Sequence, residues 1–232
     1  MTDKPKRIVL ITGASGGIGL AAAKLFFAKG DRVYGLSRRP CPEAGIESIC
    51  ADVTDEAAVR NAIKTVVSRE GRLDVPICNA GFGISGAVEF TAYADAKRQF
   101  DVNFFGTSNC IRAALPEMRR QGSGMIIVTS SVAGMLSIPF QAYYSASKAA
   151  LNSLVLATAN EVRPYGVRVA AIMPGDIKTG FTAARTKSNA GSSDYAALSK
   201  SVATMERDEQ NGMSPDVIAR CMYSVSRKRN PK

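Results

Sequence analysis

The sequence predicts an α/β protein, a doubly wound parallel β-sheet with helices on both faces, three layers (α/β/α) deep. Short apolar runs bounded by turn residues alternate with segments carrying apolar residues at helical spacing almost to the end of the chain. Alternation of this kind builds right-handed βαβ crossovers, whose strands are parallel and whose helices cover both faces of the sheet. The 232 residues are 46% hydrophobic and 22% charged, enough for a sizeable core. With no repeat, linker or break in composition, 1–232 reads as one domain.

The elements follow in order. RIVLIT at 7–12 is the first strand, and a glycine-rich turn leads from it into a helix over 18–29. RVYGLS at 32–37 and ESIC at 47–50 are the next strands. A helix over 55–70, with Thr54 as its expected cap, precedes the strand VPICN at 75–79. One helix over 95–115 leads to GMIIVTS at 124–130, and another over 142–163 to VRVAAIM at 167–173. The dipeptide SP followed by Asp opens the last helix, 214–227. The segment 176–213 breaks the rhythm: it is rich in Ser, Thr, Ala, Gly and charge. Connections of that length are functional lids, mobile segments or surface insertions without a role, and here a substrate lid is expected. In open α/β sheets, ligands sit beyond the carboxyl ends of the strands, which is where this segment begins.

Composition excludes much chemistry. The chain has no histidine, so it can form no Ser-His-Asp triad, no Cys-His pair and no ordinary zinc site; no metal is expected. The five cysteines are scattered, odd in number and without a C-x-x-C pair, as expected of reduced thiols. No apolar run reaches the roughly 18 residues of a membrane span, and MTDKPKRIVLIT is too short for a signal peptide, so a cytoplasmic protein is expected. The net charge of +10 suits a phosphorylated cofactor, an acidic partner or nucleic acid. Nucleic acid is not expected, because the basic residues are dispersed, no aromatic side chains interleave them and no reading helix is recognisable.

Two motifs carry chemistry. In ITGASGGIG (11–19), Gly13 permits the tight turn, Gly17 lets backbone approach a pyrophosphate, and Gly19 lets helix and sheet pack closely. The helix N-terminus then favours the negative charge, as in a Rossmann-type dinucleotide site. In YYSASKAA (143–150), Tyr144 stands four residues before Lys148 and shares its helical face, whereas Tyr143 is one residue off. A Tyr-x-x-x-Lys spacing alone is common by chance. Its company is more specific.

TGASGGIG at 12–19, DV at 52–53, CNAG at 78–81, the Asn of FDVNFFG at 103, SS at 130–131, YSASK at 144–148 and PGDIKT at 174–179 occur in the order and spacing of the short-chain dehydrogenase/reductase family, which the chain resembles over nearly its whole length. The resemblance implies that Tyr144 is the acid-base residue and that Lys148 binds the nicotinamide ribose and lowers the tyrosine's pKa. It implies that Ser131 holds the substrate oxygen and that Asn103 helps position water in a proton relay. An adjacent ammonium favours a phenolate, which agrees with this assignment. Ser131 is preferred to Ser130 because it lies thirteen residues before Tyr144, the usual family separation. Neighbouring strand residues face opposite ways, and Ser130 stays open as the alternative.

The resemblance also implies that the cofactor is held by Gly13, Ser15, Gly17, Ile18 and Gly19 in the turn, by Asp52 and Val53 at the adenine, and by Asn79, Ala80 and Gly81. Tyr144, Lys148, Pro174, Gly175 and Thr179 serve the nicotinamide end. Cys78 replaces the first Asn of the family's N-N-A-G, leaving Asn79 to brace the sheet. Where NAD-binding members carry an acidic residue after the second strand, this chain has Ser37, Arg38 and Arg39. A guanidinium attracts a 2′-phosphate that a carboxylate would repel, so NADP(H) is the expected cofactor.

The expected activity is hydride transfer between nicotinamide and a secondary alcohol/ketone pair, a small-molecule carbonyl/alcohol substrate. Met135, Leu136, Ile138, Pro139, Phe140 and Phe181 suggest that it is lipophilic or steroid-like. Two alternatives remain at this point, a 3-oxoacyl-carrier-protein reductase and a non-catalytic nucleotide-sensing protein on the same fold. A homodimer or homotetramer is implied by the resemblance, although family chains commonly continue into a seventh strand where this one reads KRNPK.

Overall fold

The structure is a computed structural model that describes residues 6–228. Its strands are β1 (Ile8–Thr12), β2 (Arg32–Ser37), β3 (Glu47–Cys50), β4 (Val75–Cys78), β5 (Ile84–Ser85), β6 (Gly124–Thr129), β7 (Val167–Ile172) and β8 (Thr186–Lys187). Its helices are α1 (Gly17–Ala28), α2 (Glu56–Glu70), α3 (Tyr93–Phe100), α4 (Gly106–Gln121), α5 (Ala142–Val162), α6 (Phe181–Ala184), α7 (Leu198–Gln210) and α8 (Pro215–Arg227). Six strands form one sheet in the order β3-β2-β1-β4-β6-β7, every pair parallel. The order reverses between β1 and β4, and a crevice opens beyond their carboxyl ends.

Strand alternation divides the core. Leu10, Leu36, Ile126 and Val128 point to one face and pack with Ile63 of α2, Met118 of α4 and Leu151 of α5. Val9, Ile11, Val33, Ile77 and Ile127 point to the other and meet Phe26 of α1 and Met222 of α8. Because the side-chain period is two, a slip of one residue would exchange these faces; the register, with Leu10 opposite Tyr34 and Ile11 opposite Ile77, is therefore well specified. The six sheet strands and the helices over 18–29, 55–70, 142–163 and 214–227 stand within a residue or so of their expected bounds. Among the described residues no helix is long and apolar enough to cross a membrane.

Two expectations are corrected. The helix expected over 95–115 runs from α3 through a π-helical segment, Asp101–Phe105, into α4. The wider turn swings Asn103 under the loop after β4, and Gly106 then passes so close to Val53 that a Cβ would lie 2.6 Å from Val53 Cγ2. The cap of α2 is Asp55, whose carboxylate accepts from the Ala58 N–H at 2.9 Å, while Thr54 Oγ1 donates to Asp52 Oδ1 at 2.9 Å. A carboxylate is both an acceptor and a charge suited to the helix dipole, and it prevails over the hydroxyl. The segment 176–213 holds α6, β8 and α7, and β8 pairs with β5 in a two-stranded parallel sheet, Ile84 opposite Thr186. Its two ends are pinned together where Lys178 N donates to the Met213 carbonyl at 2.9 Å and Met213 N to the Asp176 carbonyl at 3.0 Å.

Candidate active site

The glycine-rich turn leaves β1 at the switch point. Gly13 adopts φ +71°, which a side chain would oppose, and a Cβ on Gly19 would lie 2.6 Å from Asn79 Nδ2. The N-cap residue of α1, Gly16, makes no side-chain cap bond, and the first turn has no acidic residue. The first N–H groups of this twelve-residue helix therefore lack an anionic partner where the helix meets the crevice. Asn79 fixes the adjoining wall. Its N–H donates to Thr12 Oγ1 at 2.8 Å, its Nδ2 to the Thr12 carbonyl at 3.2 Å, and its Oδ1 accepts from Thr129 Oγ1 at 3.2 Å, so one amide joins β1, β4 and β6.

The crevice deepens into a cleft of about 460 Å³, lined by every residue named above for cofactor or catalysis except Gly19 and Asn103. At one end Ser37 Oγ donates to the Arg39 carbonyl at 2.7 Å, and Arg38 and Arg39 are exposed with no ion-pair partner among the described residues. Asp52 accepts from both Thr54 N and Thr54 Oγ1 through Oδ1. Thr179 faces Gly17 across the cleft, its Cβ 3.4 Å from where a Cβ on Gly17 would stand.

At the other end α5 presents Tyr144 and Lys148 one turn apart; Tyr143 lines no part of the cleft. The Lys148 ammonium is buried, donates to the Thr129 carbonyl at 2.8 Å and lies 5.8 Å from the centre of the Tyr144 ring. The two serines separate as strand alternation requires. Ser130 Oγ turns into α5 and donates to Asn152 Oδ1 at 2.6 Å, whereas Ser131 stands beside the Tyr144 phenol, with its Oγ accepting from Ala133 N at 3.1 Å. Asn103 is fully buried: its amide donates to the Phe82 carbonyl at 3.0 Å and accepts from Phe82 N at 3.1 Å, bracing the loop that carries Gly81.

Burial dominates the electrostatics of the catalytic pair. Burial raises the Tyr144 pKa above the usual phenol value; Ser131 draws it down, Glu209 pushes it up and Arg185 draws it down. Lys148 donates to the Thr129 carbonyl, and burial lowers its own pKa to about 8. Without cofactor, Tyr144 is a neutral phenol.

Of the six apolar residues expected near substrate, Ile138 and Phe181 line the cleft, Pro139 and Phe140 line a neighbouring hollow with Ile138, and Met135 and Leu136 project into solvent. The sequence reading missed Asp176, Met205 and Glu209, which line the cleft. Asp176 sits within PGDIKT, where the reading took Pro174, Gly175 and Thr179 and passed over it, while Met205 and Glu209 lie in a stretch without a motif, where nothing local signals that α7 folds back to the catalytic helix.

Taken together, the uncapped helix N-terminus, the glycine cradle and the exposed arginines suit an anionic dinucleotide in a cleft that runs from Arg38 to Tyr144 and Lys148. Residues 7–190 match the model of the short chain dehydrogenase family. A 3-ketodihydrosphingosine reductase of Bacteroides thetaiotaomicron is 39% identical over 97% of this chain and 85% of its own length. The human 17-beta-hydroxysteroid dehydrogenase type 1 is 37% identical over 76% of this chain, a match that spans 58% of that longer protein. The crystal structure of a short-chain dehydrogenase from Streptomyces avermitilis superposes with a TM-score of 0.90 at 31% identity, covering 100% of this chain and 87% of its own. The chain belongs to the short-chain dehydrogenase/reductase family of oxidoreductases.

Proposed function

We propose that this protein is an NADP(H)-dependent reductase of a lipophilic ketone, with Tyr144 as proton donor, Ser131 as holder of the carbonyl oxygen and Lys148 as the cation beneath the nicotinamide ribose. One observation carries the reading: a single cleft joins Ser37, Arg38 and Arg39 at one end to Ser131, Tyr144 and Lys148 at the other. The bound nicotinamide supplies the hydride. The protein's own part is positional and acidic. Burial keeps Tyr144 protonated at neutral pH, the state from which it gives a proton to a developing alkoxide, and Ser131 stands beside it to hold the same oxygen. Asn103 holds Phe82, and through it Gly81, against the cofactor; a part in the water relay belongs to this proposal. The exposed guanidinium groups of Arg38 and Arg39 receive the 2′-phosphate, and no carboxylate stands at Ser37 to repel it.

Among lipophilic ketones the reading favours a long-chain keto compound over a steroid, because the 3-ketodihydrosphingosine reductase matches 97% of this chain and the steroid enzyme 76%. The segment 176–213 acts as the substrate lid. The outer face of α5, with Ala142, Ala146, Ala149 and Leu156 exposed and uncharged, suits a second copy of the chain in a homodimer or homotetramer. The test is a panel of long-chain ketones, steroid ketones and carrier-bound 3-oxoacyl groups, assayed with NADPH and with NADH by nicotinamide absorbance. NADPH-dependent turnover of the long-chain ketones is expected; no turnover with either nucleotide would overturn the reading.

A further inference from the structure

A wholly buried arginine stands one ring away from Tyr144. Arg185, between α6 and β8, lies over the Phe181 ring at 5.5 Å, and that ring packs on the Tyr144 ring at 5.8 Å. The fold leaves room for this stack: a Cβ on Gly83 would lie 3.0 Å from Phe181 Cζ and 3.5 Å from Arg185 Nε. Arg185 Nη2 donates to Glu209 Oε1, and Thr182 Oγ1 donates to Glu209 Oε2 at 2.6 Å. Both oxygens of the α7 carboxylate that lines the cleft are thus engaged.

Stability does not account for the arginine. Its Nε and Nη1 have no hydrogen-bond partner among the described residues, and Glu206 Oε1, 3.8 Å from Nη1, is paired with Lys187 Nζ at 2.6 Å. Unspent buried donors are costly, and a buried ion pair is a weak source of stability that apolar side chains of similar volume often equal. What the guanidinium supplies is a planar cation, able to pack on an aromatic ring and to neutralise a carboxylate at once.

That charge reaches the phenol. Burial is the largest influence on the Tyr144 pKa and Ser131 the next; beyond them Glu209 pushes it up and Arg185 draws it down. A phenol facing an uncompensated carboxylate holds its proton more tightly, which makes it a poorer donor to a developing alkoxide. Lys148 of the same helix, Asp176 after β7 and Arg98 of α3 also line the cleft, as do Asp52, Arg38 and Arg39. They stay unaltered in every variant compared below.

We propose that Arg185 is a positioning residue for the proton donor, holding Phe181 against Tyr144 and masking the charge of Glu209 from it. The inference rests on the reading of Tyr144 as that donor, and it can fail separately. The test is a fluorine NMR titration of the NADP-loaded protein carrying 3-fluorotyrosine, whose phenols ionise at lower pH, with the Tyr144 signal identified by its loss in Tyr144→Phe. Relative to wild type, the midpoint should rise by about half a pH unit or more in Arg185→Met and fall by about as much in Glu209→Gln, and the double variant should return it to within about 0.2 units. In Arg185→Met, kcat for ketone reduction should fall about fivefold or more with the KM for NADPH within about twofold, and Arg185→Lys should bring both midpoint and kcat back toward wild type. Midpoints that move the same way in the two single variants, or in neither, overturn the proposal, as does failure of the lysine to restore what the methionine loses; a merely structural pair would give one of these results. Should Arg185→Met not fold, the fall in Glu209→Gln and the wild-type midpoint of Arg185→Lys decide the question. Opposite shifts without turnover of any ketone would support Arg185 while sinking the reductase reading.

Discussion

The two walls of the cleft are held by different physics. The cofactor wall grows out of the sheet: Leu10, Ile11, Leu36, Ile77 and Ile127 are at most 2% exposed, and Asn79 ties three strands together. Moving it means breaking ladders and opening a close-packed core. The substrate wall, built by 176–213, is attached through the two-residue strands β5 and β8, the pinned ends at Asp176 and Met213, the Arg185 network and the T-shaped contacts of Tyr195 with Phe90 and Phe140. Ile177 and Leu198 are its buried apolar anchors. The difference teaches that the first wall can move only with the sheet, whereas the second is held by short local contacts, so local opening of that wall is the outcome to test.

The comparison breaks most completely at Tyr144, where the two walls meet. Tyr144→Phe should lower kcat by about 10²–10⁴-fold, the usual value of a positioned proton donor, with NADPH affinity nearly unchanged. Tyr143→Phe should retain most activity, and equal losses in the two variants would remove Tyr144 from its role. A smaller effect is expected within the cofactor wall: Ser37→Asp with Arg38→Ala should move the kcat/KM preference toward NADH by about 10–100-fold, or about 1.4–2.8 kcal/mol. An unchanged ratio would show that the phosphate is held elsewhere.

A third variant sharpens the contrast between preorganisation and stability. Burial lowers the Lys148 pKa to about 8, from 10.5, so below pH 8 the folded state carries a desolvated ammonium that the unfolded chain solvates freely. The unfolded state binds more protons between these values, and Lys148 therefore weakens folding most at neutral pH. Lys148→Met should raise the Tm at pH 7 by about 2–6 °C, for roughly 1–2 kcal/mol after the lost bond to Thr129 is allowed for, while abolishing turnover. The gain should shrink as pH rises from 8 toward 10.5; calorimetric scans across that range check it. A gain that persists at pH 10.5 would point to packing instead of charge.

The smallest effect probes the substrate wall. Trypsin should cut the ligand-free protein first within 176–213, at exposed Lys178, Lys187, Lys200 or Arg207, while Arg185 is buried and protected. NADPH with a bound alcohol should slow cutting by about fivefold or more through local closure. Identical rates with and without ligands would make this wall as rigid as the other.

The sequence by itself determined the sheet, because apolar strands of period two and helices of period 3.6 are local patterns, and it placed the glycine turn, Ser131, Tyr144 and Lys148, because each motif is read within a few residues. It also placed Arg38 and Arg39 at the end of a strand, where parallel sheets bind their ligands. The rest depended on contacts that no local pattern encodes. The π-helical turn at Asp101–Phe105 brings Asn103 and Gly106 against Phe82 and Val53, which lie far away in sequence, whereas the cap of α2 at Asp55 was local and the reading chose the wrong neighbour. The lowered pKa of Lys148 is likewise a product of burial. Above all, only the tertiary structure brings Glu209 and Arg185 to Tyr144: α7 reads as a polar helix with few apolar residues, and its place over the cleft is decided by a buried ion pair and an aromatic ring supplied from elsewhere in the fold.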